Sequence, residues 1–245
     1  MTLLSEKKIG KQTSRLRLTI HCHTLNGFSF EISDKSGNLI YISEKDLSSS
    51  EIFSNHLIKN KDYFQVIVLI NTEKYTLVPN NIGETGIHED FDIDGNYALS
   101  ELFDITSSEV VISSKLNYYP ATFFFAIDSK FYKNLSFSFT HTFILPISQI
   151  LLERGLEINQ NNKILLHITD DKIHLVAIER TKLLLINSYP ATDINTIKYF
   201  VFLVTKEVMF NPLFTFIYIS SDLDNPTAIV DSLKEYYKSV YQISH

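Results

Sequence analysis

The chain has 245 residues, 44% of them hydrophobic and 20% charged, which suits a globular protein of one large or two small domains. A net charge of −6 and a sequence pI near 5.7 set the surface against phosphate backbones and argue against nucleic acid as a partner. A single cysteine, Cys22, excludes an intrachain disulfide, and no apolar run reaches signal-peptide or membrane-span length, so the sequence reads as cytoplasmic with no membrane partner.

Eighteen Phe, thirteen Tyr and no Trp favour sheet. Residues 1–13 read as a flexible basic tail, with Lys7, Lys8 and Lys11 leading toward Arg15 and Arg17. Leu16 to His23 is a predicted strand, Asn26-Gly27 a hairpin turn, and Phe28 to Ser33 an alternating second strand. Asp34 to Gly37 turns into a third strand over Asn38 to Ser43. Ser48 with Glu51 forms a capping box that opens a helix to about Lys59. Phe64 to Ile70 is a continuous apolar run, the pattern of a strand buried on both faces.

Val110 to Ser114 and Ala121 to Ile127 are further strands, and Pro146 to Gly155 a helix with a glycine stop. The Asn-rich stretch from Glu157 to Asn162 marks a lobe boundary, giving lobes of 14–157 and 158–245. The series then restarts. Lys163 to Ile168, Ile173 to Glu179 and Lys182 to Ser188 are strands, Asp193 caps a helix to about Met209, and Phe214 to Ile219 is a buried strand. First and fourth strands start 48 residues apart in one half (16 and 64) and 51 in the other (163 and 214), so a β-β-β-α-β unit is duplicated. Asp224 or Asn225 caps a last helix, with Ile229, Leu233, Tyr236, Tyr237 and Val240 on one face.

The doubled unit is the plan of the actin, sugar-kinase and heat-shock-chaperone superfamily. Leu25-Asn26-Gly27-Phe28-Ser29-Phe30 and Tyr75-Thr76-Leu77-Val78-Pro79 further resemble the domain-of-unknown-function 3822 family, over about Leu16 to Tyr241. The resemblance implies a bacterial protein of α/β class with an actin-like ATPase (ribonuclease H-like) fold, two duplicated lobes, and no assigned activity. An ATPase of this plan wraps phosphates with glycine-bearing hairpins, usually Asp-x-Gly, because a side chain there blocks the ligand. The corresponding residues here are His21-Cys22-His23 and His167-Ile168-Thr169, with Asp170 following. The chain's seven glycines end at Gly155, so the second lobe contains none.

Asp90, Asp92, Asp94, Gly95 and Glu101 match the whole spacing of a calcium-binding EF-hand loop. Pro79, Gly83 and Gly86 break the helix that should lead into it, so an acidic turn before a short helix at Ala98 to Phe103 is the preferred reading. His21 and His23 share a strand face and His167 and His174 face one another across a hairpin, but neither pair has a third ligand in view, and His141 has no assigned role. No catalytic, cofactor or metal residue is therefore assigned. The expected function is a non-catalytic binding or scaffold protein whose partner is another protein. The alternative is a divergent enzyme binding ATP between its lobes, or calcium or magnesium at Asp90 to Glu101.

Overall fold

The computed structural model describes residues 13–23, 27–44, 46–59, 61–80, 94–223 and 225–243. Lys7, Lys8, Lys11, Asn26, Asp90, Asp92 and Asp224 lie outside them. The chain divides into two compact units, Met1–Lys115 with Pro120–Pro146, and Leu116–Tyr119 with Ile147–His245.

In the first unit a 3-10 turn at Thr13–Arg15 leads into β1 (Leu16–Cys22), β2 (Phe28–Asp34) and β3 (Leu39–Ile42), followed by α1 (Ser49–Ser54) and β4 (Gln65–Ile70). Strand β1 pairs antiparallel with β2 and parallel with β4, with His21 opposite Ser29 on one side and Leu69 on the other. The capping box at Ser48 forms with both of its bonds. Helix α1 stops at Ser54, short of Lys59, because the Asn55 side chain accepts from Leu57 N–H and its carbonyl from Ile58 and Lys59. That turn drives Leu57 and Ile58 into the core.

A three-stranded sheet then interrupts the first. Strands β5 (Tyr75–Pro79), β6 (Glu109–Lys115) and β7 (Ala121–Asp128) assemble in the order β5-β7-β6, with α2 (Gly95–Ser100) between β5 and β6 in sequence. Helix α3 (Ser129–Ser138) follows, and β8 (Thr142–Pro146) returns to pair parallel with β4. The first sheet therefore has the order β3-β2-β1-β4-β8.

The second unit opens with α4 (Ile147–Glu157), which packs on β9 (Asn162–Ile168) and β10 (Lys172–Glu179). Gly155 makes this approach possible, since a Cβ there would come within 2.5 Å of Ile178 Cδ1. Strand β11 (Lys182–Pro190), α5 (Ile194–Glu207), a 3-10 turn (Pro212–Phe214), β12 (Thr215–Ser221), α6 (Thr227–Lys234) and β13 (Ser239–Gln242) complete it. Its sheet order, β11-β10-β9-β12-β13, repeats that of the first unit strand for strand. Residues of α5 and α6, including Ile197, Val201, Val204, Ile229, Val230 and Leu233, share a core with Ile164, Leu166, Leu175 and Ile217. With α4 on the opposite face, β9 and β10 are buried almost throughout.

Three expectations need correction. Strand β4 alternates buried and half-buried residues, so only one face enters the core despite its apolar run. Phe214 precedes β12 in the 3-10 turn and is exposed. The last helix ends at Lys234, and Val240 lies in β13, paired opposite Ile217.

Candidate functional site

Parallel strands β1 and β4 end side by side, and their carboxyl ends open a pocket of ≈ 630 Å³ within the first unit. Ligands of open α/β sheets favour this position, because the loops leaving neighbouring strands diverge there. Cys22 and Ile70 close the two strands, Asn71 and Thr72 follow β4, and Phe28 opens β2. Ser48, Ser49 and Ser50 come from the start of α1, and Asp128, Lys130, Phe131 and Asn134 from the start of α3. The floor is aromatic, with the Phe28 and Phe131 rings stacked at 4.8 Å and Phe53 tilted against Phe131 at 5.7 Å. The remaining lining combines hydroxyls and amides with His23, Glu109, Asp128 and Lys130.

The reactive-looking groups are already committed to structure. Asp128 accepts from Phe131 N–H at 2.7 Å as the cap of α3. Glu109 accepts from Lys74 Nζ, Thr106 N–H and Thr106 Oγ1, each at 2.9 Å. Burial raises its pKa, but those bonds outweigh burial and hold the carboxyl below its usual range. Burial pushes the Cys22 thiol well up, so it stays protonated and is a poor nucleophile. Ser48 Oγ donates to Glu51 Oε2 at 2.7 Å. The arrangement is suited to holding an amphipathic group, with donors and acceptors on the walls and aromatic surface beneath.

The hairpins that carry the phosphate loops in an ATPase of this plan are closed here by local backbone hydrogen bonds. The first closes through His23 N–H donating to Gly27 O at 2.9 Å, and His23 Nε2 lies 2.9 Å from Ser29 Oγ. The second is a tight turn, Thr169-Asp170-Asp171-Lys172, closed by Thr169 N–H to Lys172 O at 2.9 Å. Thr169 Oγ1 donates to Asp171 Oδ1 at 3.0 Å, and Lys172 Nζ lies 3.7 Å from Asp171. The turn contains no glycine, so every residue in it carries a side chain where a phosphate would need open backbone N–H groups.

The histidines stack in pairs as their registers require. The rings of His21 and His23 lie 6.3 Å apart, and those of His167 and His174 6.2 Å apart. The second pair is deeply buried and hydroxyl-bonded: His174 Nδ1 lies 2.7 Å from Ser188 Oγ and 3.2 Å from Ser148 Oγ. His167 Nδ1 lies 3.1 Å from Ser220 Oγ, and its Nε2 3.5 Å from Asp222. Burial, then the neighbouring His167, lowers the His174 pKa to about 3, so that ring is neutral. His141 borders a shallow hollow with Lys61, Asp62 and Tyr63.

Of the calcium-loop residues, Asp94 and Glu101 are described. Asp94 caps α2 by accepting from Asn96 N–H at 2.9 Å, and Glu101 ends the same helix about 10 Å away. The helix starts at Gly95 in place of the expected Ala98. Gly95 has no positive φ; it is the residue that allows contact with Phe124, whose ring atom would lie 2.2 Å from a Cβ. Among the described residues, no three His, Cys, Asp or Glu side chains are grouped to hold a metal, and no helix is long and apolar enough to cross a membrane.

Known proteins place this architecture. A family model described as a protein of unknown function (DUF3822) matches residues 5–240, and the chain belongs to that family. A Bacteroides thetaiotaomicron structure, described as a protein with actin-like ATPase fold and unknown function, is 19% identical with a TM-score of 0.77, covering 99% of this chain and 94% of that one. The PilM-PilN type IV pilus biogenesis complex gives 10% identity, a TM-score of 0.53 and coverage of 93% and 88%. The cytoplasmic domain of EpsL, an inner-membrane component of the type II secretion system of Vibrio cholerae, gives 12%, 0.50, and 86% and 84%. No curated protein matches the chain. At these identities the likeness shows the fold, which is the actin-like ATPase fold.

Proposed function

We propose that this protein is a non-catalytic binding or scaffold protein on a degenerate actin-like fold, acting in the cytoplasm, and that the pocket beyond β1 and β4 receives a segment of another protein. The observation that carries this reading is the β9–β10 hairpin. Its turn, Thr169-Asp170-Asp171-Lys172, contains no glycine, and none follows Gly155 to open the backbone to a phosphate. The pocket's mixed lining supports a peptide occupant, whose backbone amides match Ser49, Asn71 and Asn134 and whose apolar side chains match Phe28 and Phe131. The net charge of −6 weighs against nucleic acid and against anionic membranes as partners. PilM, with the same fold, is found in a complex with PilN, which gives the fold a precedent for binding protein.

A photo-crosslinking residue at Ser49 tests the reading in cells. It should trap one protein, and Asn134→Trp, which fills the pocket, should abolish that adduct while leaving the fold intact by circular dichroism. An adduct that survives Asn134→Trp, or a crosslinked nucleotide in place of a protein, would overturn it.

A further inference from the structure

We propose that the protein segment received by the pocket beyond β1 and β4 presents an arginine, with its guanidinium held by Glu109 and Asp128 and its stem laid on the Phe28–Phe131 floor. The assignment rests on the protein-binding role proposed for that pocket. Glu109 opens β6 and Asp128 closes β7, and the two residues stand directly opposite in the antiparallel ladder. Next to them Ser129 N–H donates to Ser108 O at 2.8 Å, which makes Glu109 and Asp128 a non-hydrogen-bonded pair, the kind whose side chains are closer. Both side chains leave the same face of the sheet and both line the pocket. Like charges so placed repel one another, and a cation bound between them removes that cost.

Each carboxylate commits one oxygen to the fold and leaves the other open. The bonds to Glu109 from Lys74 Nζ, Thr106 N–H and Thr106 Oγ1 all fall on Oε2. The bond from Phe131 N–H that caps α3 falls on Asp128 Oδ1. Neither Glu109 Oε1 nor Asp128 Oδ2 accepts a hydrogen bond from a described residue. Both carboxylates are thus oriented in advance, which lowers the ordering cost of binding. Among the described residues Lys74 is the cation paired with Glu109, and it gives a further bond to Asp104 O at 2.8 Å. Lys130 also lines the pocket but is exposed and forms no ion pair with either carboxylate.

The chemistry of the occupant follows from charge and shape. Two open acceptors on neighbouring strands suit a ligand with several donors and a positive charge. A guanidinium offers its N–H donors in a planar fork and can reach both carboxylates at once, whereas an ammonium is a point charge. A metal ion fits less well, because among the described residues no third His, Cys, Asp or Glu is grouped with the pair. Phe131 follows Asp128 by one turn of α3 and stacks on Phe28 at 4.8 Å, so the methylene stem of an arginine has an apolar surface leading to the carboxylates. The cavity and its aromatic floor define where the segment sits, and the acidic pair defines the side chain it presents.

Titration of the full chain with acetyl-Leu-Arg-amide, followed through the NMR resonances of the Phe28 and Phe131 rings, tests the assignment. The citrulline counterpart keeps the shape without the charge, and acetyl-Leu-Lys-amide keeps the charge without the fork. The arginine probe should bind roughly tenfold or more tightly than the citrulline probe, with the lysine probe between them. Asp128→Asn still caps α3, and Glu109→Gln still offers Thr106 an acceptor; each should remove most of the preference for arginine over citrulline. Lys130→Gln should tighten arginine binding by roughly two- to threefold, because it removes a competing cation. Equal binding of the arginine and citrulline probes by wild type, or a preference that survives both Asp128→Asn and Glu109→Gln, would overturn the assignment. The photo-crosslink at Ser49 separates that failure from failure of the protein-binding role. A protein adduct whose trapped segment has no arginine would overturn the assignment and leave the role standing. Arginine-selective binding with no protein adduct would retain the acidic pair as an arginine site and overturn the role.

Discussion

At the scale of single residues, the second unit is held by polar groups that have exchanged water for hydroxyls and carbonyls. Lys163 is buried and donates to Ile158 O, Gln160 O and Arg180 O at 2.6, 3.0 and 2.7 Å, so its ammonium group pins the boundary segment to the β10–β11 turn. His174 has a different consequence. Its pKa falls from an ordinary 6.5 to about 3 in the fold, so the unfolded chain takes up a proton that the folded chain refuses. The stability it contributes is complete above pH 6.5 and is lost as pH falls toward 3. Urea unfolding should show about 2 kcal/mol less stability at pH 5 than at pH 7, with most of that difference absent in His174→Gln. An equal loss in both proteins would place the acid sensitivity elsewhere. The two facing imidazoles are legible in the sequence as one hairpin register. The Ser148, Ser188 and Ser220 hydroxyls around them are not, because three other elements supply them.

At the scale of elements, local signals fixed what local forces decide. The Ser48–Glu51 box and the Asp193 cap appear in the fold as the sequence places them, since each is satisfied within one turn of helix. The failures are long-range. Strands β8 and β13, the fifth strands of the two main sheets, both escape sequence reading. Each is four or five residues long and gains its ladder only by pairing with a strand distant in sequence, β8 with β4 across the inserted three-stranded sheet and two helices, and β13 with β12 across α6. Val240 fits a helical stripe by spacing, yet pairing with Ile217 decides its state. Gly95 shows the same limit. Its position in an acidic repeat suggests a calcium turn, whereas its role in the fold is contact with Phe124. Gly95→Ala should therefore destabilise the protein by about 1–3 kcal/mol in metal-free buffer. A glycine kept for calcium would show no cost until the metal is added.

At the scale of the whole molecule, the duplication is the most legible property, because equal spacing of strands survives any divergence of side chains. Both units carry the same strand order, and His21 and His167 occupy the same position one residue before the end of the first strand in each. Their environments have diverged. The first unit keeps an open pocket at the strand ends, while Ser220 and Asp222 close around His167 in the second. The sequence shows through its glycine positions that the second unit's hairpin has no glycine. It gives no sign of the pocket, whose lining comes from the ends of β1, β2, β4, β6, β7, α1 and α3. In the proposed function the first unit's pocket holds a segment of another protein, and the second unit's hairpin, which has no glycine, takes no phosphate.

The most direct measurement is thermal unfolding of the full chain against rising magnesium-ATP and magnesium-ADP. A ligand at a hundredfold over its Kd adds ~2.7 kcal/mol, several degrees for a domain of this size. The account predicts no saturable shift with either nucleotide; a saturable rise of several degrees would contradict it and restore nucleotide binding to this fold.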